Sequence, residues 1–285
     1  MPAAAEPYDP PAYLAALDLP PLTRRLVEGL AVTSAGDGPP LVLVHGGSGS
    51  WTHWARNIGP LSRRFAVHAV DLPGHGDSPA AAADISLADF IGRLEATVAA
   101  LIPAGGRINL AAFSFGTALT IAVAANLGDR VAALSLLGPG GFPLPADRPE
   151  PKLKGFRDGM DAAAKRAVHR HNLGVMMLSS PDAVDALAVD IQAHNVARRR
   201  FRHQWRGQMN ASFDHMARLA CRLQLVWGEA DPYPWPDIET RLADCRKIRP
   251  DLEAVILPGA GHWAQFEDAE GYNRAVGDFL ATAGD

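Results

Sequence analysis

The sequence predicts an α/β protein with a mostly parallel central sheet, helices on both of its faces, and an inserted helical cap. Apolar runs of strand length alternate with helix-like stretches from about residue 40 to residue 137. From Gly141 to about Arg218 no strand-like run occurs, and two further apolar runs then follow at 223–227 and 252–257. This order favours one layered core that is interrupted by a helical insertion.

The first part of the chain supplies most of the predicted sheet. Residues 1–28 form a proline-rich arm that ends in a possible edge strand at Leu22–Val27. Strands are then expected at 40–45, 65–71, 107–112 and 131–137, and helices at about 52–62, 87–102 and 115–127.

A glycine and proline cluster, Gly138 to Gly141, marks the entry to the insertion. Helical stretches follow around 158–177, 181–197 and 198–218. We therefore expect a core of residues 1–140 and 219–285 and a cap of residues 141–218.

Composition limits the classes of partner. With 285 residues, 48% of them hydrophobic, the chain is long enough to bury a large core. Its net charge of −4 gives no general attraction to nucleic acid or to an anionic membrane. No stretch approaches the roughly 20 apolar residues that cross a bilayer. A small-molecule substrate is the expected partner, and a homodimer stays open as the assembly.

The sequence gives no sign of a cofactor or a metal. Cys221 and Cys245 lack the spacing of a metal site and are interpreted as reduced structural cysteines. No G-x-G-x-x-G pattern or Walker lysine accompanies the glycines after Val44, so a nucleotide site is not expected. The segment Met1–Pro7 has no basic region before an apolar run, so we expect a cytoplasmic protein.

Ser114 lies between a predicted strand and a predicted helix. A serine at such a sharp turn stands above the strand ends, and only small residues fit two positions before and after it, here Ala112 and Gly116. The usual pattern is Gly-x-Ser-x-Gly, so Ala112 is a departure. A serine in an ordinary strand-to-helix loop remains the alternative.

An acidic residue and a histidine follow in loops directly after the last two predicted strands. Asp231 comes after the run 223–227, and His262 comes after the run 252–257. A serine hydroxyl needs a base near neutral pH, and a histidine can take and return its proton. A carboxylate can then fix the tautomer of the imidazole. Asp231 could instead be a turn or N-cap residue, with Glu229 as the other acid.

These motifs, in the order Ser, Asp, His, resemble those of the α/β-hydrolase family. Two more segments are similar to that family, 42–47 as the strand leading to the oxyanion loop and 70–78 as the next strand and its glycine-rich turn. The resemblance implies the α/β-hydrolase fold, with Ser114 as nucleophile, His262 as base and Asp231 as acid. It also implies an oxyanion hole made by the backbone N–H groups of Gly47 and Phe115. We expect His45 and His75 to shape loops.

Aromatic residues near these motifs are candidates for an apolar substrate pocket. Phe113, Trp51 and Trp263 are the main candidates, and core packing is the alternative for each. Phe115, Trp54 and Trp235 are further candidates.

The substrate is less well defined. Residues 261–267 resemble the histidine loop of bacterial hydrolases that cleave carbon–carbon bonds in meta-cleavage products. Those enzymes usually carry Asn before the serine, where this chain has Phe113, and a cap arginine for the substrate carboxylate. The cap arginines, interpreted as a solvated surface, are Arg198, Arg199, Arg200, Arg202 and Arg206.

A small carboxylic ester is the favoured substrate class. The alternatives are a carbon–carbon bond hydrolase, a perhydrolase with the same triad, and a small-molecule receptor with little turnover. Relatives with an aspartate nucleophile are disfavoured because Ser114 occupies that position.

Overall fold

A computed structural model describes residues 5–145, 151–201, 205 and 208–282 of the chain. Within these residues a nine-stranded sheet has the order β1-β2-β3-β5-β4-β6-β7-β8-β9. The strands are Glu6–Tyr8 (β1), Leu22–Val27 (β2), Leu30–Ala35 (β3), Pro40–Val44 (β4), Ala66–Val70 (β5), Ile108–Phe113 (β6), Val131–Leu137 (β7), Arg222–Gly228 (β8) and Glu253–Leu257 (β9).

The sheet is antiparallel at one side and parallel over the rest. The antiparallel pairs are β1 with β2, β2 with β3, and β3 with β5. The parallel pairs are β5 with β4, β4 with β6, β6 with β7, β7 with β8, and β8 with β9. The chain moves from β4 to β5 on one side and later returns to place β6 on the other side. The strand order therefore reverses at β4, and in such sheets ligands bind beyond the carboxyl ends of the strands near this point.

Helices cover both faces of the sheet. They are Ile58–Ser62 (α1), Leu87–Leu101 (α2), Phe115–Leu127 (α3), Ala162–Met176 (α4), Ala186–Arg198 (α5), Ser212–Ala217 (α6), Ile238–Ile248 (α7), Ala264–Glu267 (α8) and Ala269–Ala281 (α9).

The side chains of strand β4 belong to two hydrophobic cores, one on each face of the sheet. Leu41 and Leu43 belong to the core that contains residues of α1 and α9, while Val42 and Val44 belong to the core that contains residues of α2 and α3. Because successive side chains in a strand point to opposite faces, a continuous apolar run is what a strand buried on both faces requires.

The N-terminal part differs from the sequence prediction. Leu22–Val27 is a strand, but β1 lies outside it at the edge and β3, which was not predicted, lies inside it. The predicted helix 52–62 consists of a 3₁₀ turn at Trp51–Trp54 and the short helix α1. Pro60 lies in the first turn of α1, where its missing N–H costs nothing; a continuous helix would have required that N–H as a donor.

Three helices, α4, α5 and α6, lie between β7 and β8. In the third predicted helical stretch, 198–218, only α6 is a helix among the described residues. Arg202, His203 and Arg206 fall outside the described residues. None of the helices in the described part of the chain has the length and the apolar character needed to cross a membrane.

Candidate active site

Ser114 lies at the turn between β6 and α3, and its backbone is strained. Its φ of 51° and ψ of −119° are rare for a residue with a side chain, a conformation that costs about 1–3 kcal/mol. Gly116 allows the turn to close, because a Cβ there would lie 2.4 Å from the carbonyl oxygen of His45. Ala112 is fully buried in the last part of β6, so its methyl group fits at this position.

Hydrogen bonds on both sides hold this turn in place. The backbone N–H of Ser114 donates to the carbonyl oxygen of Leu137 on β7 at 2.9 Å. The hydroxyl of Thr117 donates to the carbonyl oxygen of Ser114 at 2.5 Å and accepts the N–H of Gly140 at 2.8 Å. The serine turn is therefore tied to the loop that follows β7.

The structure brings the three predicted side chains together. Nε2 of His262 lies 2.8 Å from Oγ of Ser114, and Nδ1 of His262 lies 2.8 Å from Oδ2 of Asp231. The other carboxylate oxygen, Oδ1, accepts the N–H of Tyr233 at 2.9 Å. Glu229, the alternative acid, accepts the N–H of Gly259 instead. A hydroxyl, an imidazole and a carboxylate are thus joined in one hydrogen-bonded series.

Neighbouring groups fix the position of the His262 ring, which is 3% exposed. The rings of Phe113 and Tyr233 lie 5.0 and 4.4 Å from it, centroid to centroid. On another side Gly138 approaches so closely that a Cβ would lie 2.7 Å from Cε1 of His262. Gly138 also has a φ of +52°, so both its conformation and its contact with the imidazole favour glycine.

The loop that carries His262 is bound to the segment that follows α4. The N–H of Trp263 donates to the carbonyl oxygen of Met177 at 2.7 Å. The Glu267 carboxylate accepts the N–H of Gly261 at 2.7 Å and the N–H of Ser179 at 3.0 Å. These bonds connect the segment that follows α4 to the residues on both sides of His262.

The loop after β4 lies against the serine turn. A Cβ on Gly46 would lie 3.2 Å from Cβ of Ser114, and a Cβ on Gly47 would lie 3.6 Å from Cβ of Phe115. Phe115 is the first residue of α3, and the first N–H groups of a helix have no acceptor within the helix. Gly47 and Phe115, the predicted oxyanion residues, therefore lie beside Ser114 on two different segments.

His45 holds this loop in shape. Its Nε2 accepts the N–H of Leu72 at 2.9 Å, so Nδ1 carries the proton that is donated to the carbonyl oxygen of Gly46 at 2.7 Å. Complete burial lowers the pKa of His45 to about 4, so the ring stays neutral near pH 7. This agrees with the structural role that was expected for this histidine.

A cavity of about 200 Å³ opens beside Ser114 and His262. Its wall comes from the start of α3, the loop after β7, the loop after β8, and α7. The lining residues are Ser114, Phe115, Gly138, Pro139, Gly140, Gly141, Phe142, Leu144, Trp227, Tyr233, Pro234, Arg241 and His262.

Three residues that were expected in the pocket lie in the core instead. Phe113 and Trp263 are fully buried, Trp51 is 3% exposed, and none of them lines this cavity. Trp263 stacks on Phe266 at 4.3 Å and donates its indole N–H to the carbonyl oxygen of His53. Core packing, the alternative interpretation, describes these three positions, whereas Phe115, a further candidate that directly follows Ser114, does line the cavity.

Sequence reasoning missed other residues of the cavity wall. Tyr233, Phe142 and Arg241 were not singled out, although Tyr233 lies only two residues after Asp231. That proximity to a candidate acid was a usable signal. Arg241 is distant from every motif and reaches the cavity only because α7 packs beside the loop after β7.

The cap arginines do not form a purely solvated surface. Arg198 is paired with Asp77, Arg199 donates to the hydroxyl of Ser48 at 2.6 Å, and Arg200 donates to the carbonyl oxygen of Gly76 at 2.9 Å. Arg200 is nevertheless exposed, and Arg198 and Arg199 are half-buried, so this segment lies on the loops that follow β4 and β5 with part of its surface in solvent. The solvated interpretation of these arginines stays a prediction.

The two cysteines are buried free thiols. Burial raises the pKa of Cys221 to about 11 and that of Cys245 to about 12, so neither thiol forms a thiolate near neutral pH. In the described ranges no group of three or more His, Cys, Asp or Glu side chains is placed to hold a metal ion.

Comparisons with known proteins identify relatives of this chain. The chain is 27% identical over 265 residues to a 2-hydroxy-6-oxo-6-phenylhexa-2,4-dienoate hydrolase of Burkholderia cepacia, covering 88% of this chain and 90% of that protein. It is 28% identical over 260 residues to a 2-hydroxy-6-oxononadienedioate/2-hydroxy-6-oxononatrienedioate hydrolase of Escherichia coli O81 (strain ED1a), covering 85% and 87%.

A solved structure shows the same fold. The naproxen esterase (carboxylesterase NP) of Bacillus subtilis superimposes with a TM-score of 0.70 at 19% identity, covering 94% of each chain. Residues 41–275 match the family described as the alpha/beta hydrolase family, which is most of the chain. From its fold, its relatives and this match, the chain belongs to the alpha/beta hydrolase family of enzymes.

Proposed function

We propose that this hydrolase cleaves small carboxylic esters through an acyl-enzyme, with Ser114 as nucleophile, His262 as general base and acid, and Asp231 as the acid of the triad. The observation that carries this proposal is the continuous series of two 2.8 Å contacts from the hydroxyl through the imidazole to the carboxylate. A serine hydroxyl without such a base is a weak nucleophile at neutral pH.

In the first half-reaction Oγ of Ser114 attacks the ester carbonyl carbon. The hydroxyl proton passes to Nε2 of His262, and Asp231 stabilises the imidazolium that forms. The negative charge on the former carbonyl oxygen is stabilised by the N–H groups of Gly47 and Phe115. The carbon–oxygen bond to the alcohol then breaks, and the alcohol leaves with the proton from His262.

In the second half-reaction water attacks the acyl carbon and gives a proton to Nε2 of His262. The bond between the acyl carbon and Oγ breaks, Ser114 recovers the proton, and the carboxylic acid is released. The bonds from Thr117 and to Leu137 hold the serine turn, so the strained conformation of Ser114 can persist through both steps.

The size of the cavity supports a small substrate. Its volume of about 200 Å³ lies below the range of roughly 300–1,000 Å³ that is usual for drug-sized ligands. The wall is mostly aromatic or apolar, as in Phe142, Trp227 and Tyr233. Short acyl groups are therefore favoured over long ones.

The test is the hydrolysis of p-nitrophenyl acetate and butyrate by the wild-type protein, by Ser114→Ala, and by the control Ser62→Ala. Ser62 donates its hydroxyl to the carbonyl oxygen of Gly59, far from the site. We expect Ser114→Ala to lose at least about 10³-fold in kcat, and Ser62→Ala to keep the wild-type value. Equal, near-zero rates for the wild type and Ser114→Ala would favour the alternative of a small-molecule receptor.

A carbon–carbon bond hydrolase is the second candidate, because two relatives that match over most of their length are named as hydrolases of dienoates. Phe113 counts against it, since it replaces the asparagine that usually precedes the serine in such enzymes. The discriminating measurement is the loss of the visible absorbance of a dienoate substrate. No bleaching at high enzyme concentration would remove this candidate.

A further inference from the structure

Arg241 places a cation in the wall of the cavity that holds Ser114 and His262. It is the fourth residue of α7, it is 6% exposed, and every other described residue of the wall is uncharged or is the histidine itself. We propose that Arg241 binds a carboxylate of the substrate, so that the natural substrate is a short carbonyl compound with an acidic group. This inference rests on the proposed function and names its substrate class.

The guanidinium has donors left for a ligand. The two hydrogen bonds that it makes, to the carbonyl oxygens of Trp235 at 3.2 Å and Pro143 at 3.4 Å, both use Nη2. Arginine carries five N–H donors in a planar fork, so Nε and Nη1 remain for an acceptor. Over the part of the chain that the structure describes, no carboxylate lies within 4.0 Å of this guanidinium.

Aromatic rings hold the side chain beside the cavity. Cζ of Arg241 lies 4.8 Å from the ring centre of Phe142 and 5.8 Å from that of Phe213. Such rings attract a cation through their electron-rich faces and limit its rotamers. A guanidinium held in this way loses little freedom when it binds a carboxylate with two parallel hydrogen bonds.

The location is unfavourable for a purely structural cation. Arg241 lies near the N-terminal end of α7, where the helix dipole is positive and an acidic residue would be more stable. The partners of this buried charge, two carbonyl oxygens and two aromatic rings, carry no negative charge that would offset its desolvation. An anionic substrate would remove both penalties, which is an argument for a binding role.

The other residues of the cavity wall indicate the chemistry of the rest of the ligand. Phe115, Phe142, Leu144, Trp227 and Tyr233 form apolar surface around the single cation. The cavity of about 200 Å³ is small for a ligand pocket, so it favours a short acyl chain. A short acyl group with a terminal carboxylate has this size and this distribution of polarity.

The first arm of the test uses the wild-type protein and two kinds of acidic ester. Monomethyl succinate, glutarate and adipate carry the carboxylate on the acyl side, and each is compared with its dimethyl ester. Acetoxyacetate carries the carboxylate on the alcohol side and is compared with its methyl ester. We expect a preference in kcat/KM of at least about 10-fold for the anion in one series. A preference for the neutral ester in both series would overturn the proposal.

The second arm compares Arg241→Met, Arg241→Lys and the control Arg246→Met. Arg246 lies on the same helix and is exposed, so its replacement removes the same charge outside the cavity. We expect the anion preference to fall by about 10- to 100-fold in Arg241→Met, the range of a charge-assisted hydrogen bond, and mainly through KM. It should fall less in Arg241→Lys and stay unchanged in Arg246→Met.

A purely structural arginine would give a different result. In that case Arg241→Met would lower the melting temperature and reduce turnover of acidic and neutral esters by the same factor. That outcome would overturn the proposal. If Arg241→Met does not fold, the anion preference of the wild-type protein and of Arg241→Lys still decides whether Arg241 binds the substrate carboxylate.

A binding measurement separates this inference from the proposed function. Calorimetry with monomethyl glutarate is carried out on Ser114→Ala and on Ser114→Ala with Arg241→Lys. Weaker binding to the double variant would support the anion site even if no ester is turned over. Turnover of neutral esters together with equal binding to both variants would overturn the anion site alone.

Discussion

The two ring nitrogens of His262 have different partners, and this difference sets the chemistry of the site. Nδ1 faces the Asp231 carboxylate, which can only accept, so it carries the proton; Nε2 is then free to accept the hydroxyl proton of Ser114. The carboxylate is itself oriented by the N–H of Tyr233 at 2.9 Å. In the proposed mechanism Asp231 therefore selects one tautomer and stabilises the imidazolium.

From this geometry we predict that Asp231→Asn lowers kcat for ester hydrolysis by about 10³- to 10⁴-fold, because the amide can donate to Nδ1 and favours the wrong tautomer. Glu229→Gln is the matched control, since Glu229 accepts only the N–H of Gly259. Steady-state kinetics with one p-nitrophenyl ester measures both. A large loss in Glu229→Gln with a small loss in Asp231→Asn would contradict the assignment.

For individual residues, the sequence predicts that Ser114, Asp231 and His262 come together. It does not predict the direction of the side chains next to them. Ser114, Asp231 and His262 each follow a predicted strand, and parallel strands bring their carboxyl ends to one edge. Phe113 and Trp263 are adjacent to catalytic positions, yet the turn geometry directs them into the core. Arg241 could not be foreseen, because only the packing of α7 brings it to the cavity.

Among the elements, the His262 loop is connected to the segment that follows α4. The Glu267 carboxylate on α8 accepts the hydroxyl of Ser179 at 2.5 Å in addition to the N–H groups of Ser179 and Gly261. A single carboxylate thus joins the segment that follows α4 to the residue before His262.

We predict that Glu267→Gln lowers the free energy of unfolding by about 1–3 kcal/mol, because hydrogen bonds to a charged group become neutral ones and one acceptor oxygen is lost. It should also lower kcat, as the imidazole is less firmly placed. Glu270→Gln is the control, since this exposed glutamate contacts only Arg274, at 3.5 Å. Urea denaturation and ester kinetics measure the two effects. Equal stability of the two variants would show that the connection contributes nothing.

The limits of prediction for the elements have a physical cause. The central strands were predicted to within a few residues because each is mostly apolar with at most one polar residue in its middle, as Ser135 is in Val131–Leu137. Strand β3 was missed because Thr33 and Ser34 interrupt its apolar pattern, and it is buried only through pairing with β2 and β5. Strand β1 has three residues and forms only against β2.

Over the whole molecule, neutral histidines that are buried, like His45, or half-buried, like His68, link stability to pH. His68 on β5 is an example: Nδ1 lies 2.8 Å from the hydroxyl of Ser34 on β3. Burial lowers the pKa of His68 to about 4, as it does for His45. Asp71 acts in the opposite direction, because burial raises the pKa of its carboxyl to about 7 and it binds a proton more readily in the folded state.

The sign for His68 follows from comparing the two states. Its pKa is about 6.5 in the unfolded chain and about 4 in the folded protein, so below pH 6.5 the unfolded state binds a proton that the folded state does not. The stability that this residue contributes is present above pH 6.5 and is lost as the pH falls toward 4.

We predict that His68→Asn, which keeps a polar atom near Ser34 but cannot titrate, removes this part of the pH dependence. The wild-type free energy of unfolding should fall more steeply than that of the variant, by at most about 1.4 kcal/mol per pH unit. Urea denaturation at pH 7, 6 and 5 measures the free energy of unfolding of both proteins. Because Asp71 and His45 titrate equally in the two, the difference between the curves reports His68 alone. Parallel curves for the two proteins would contradict the prediction.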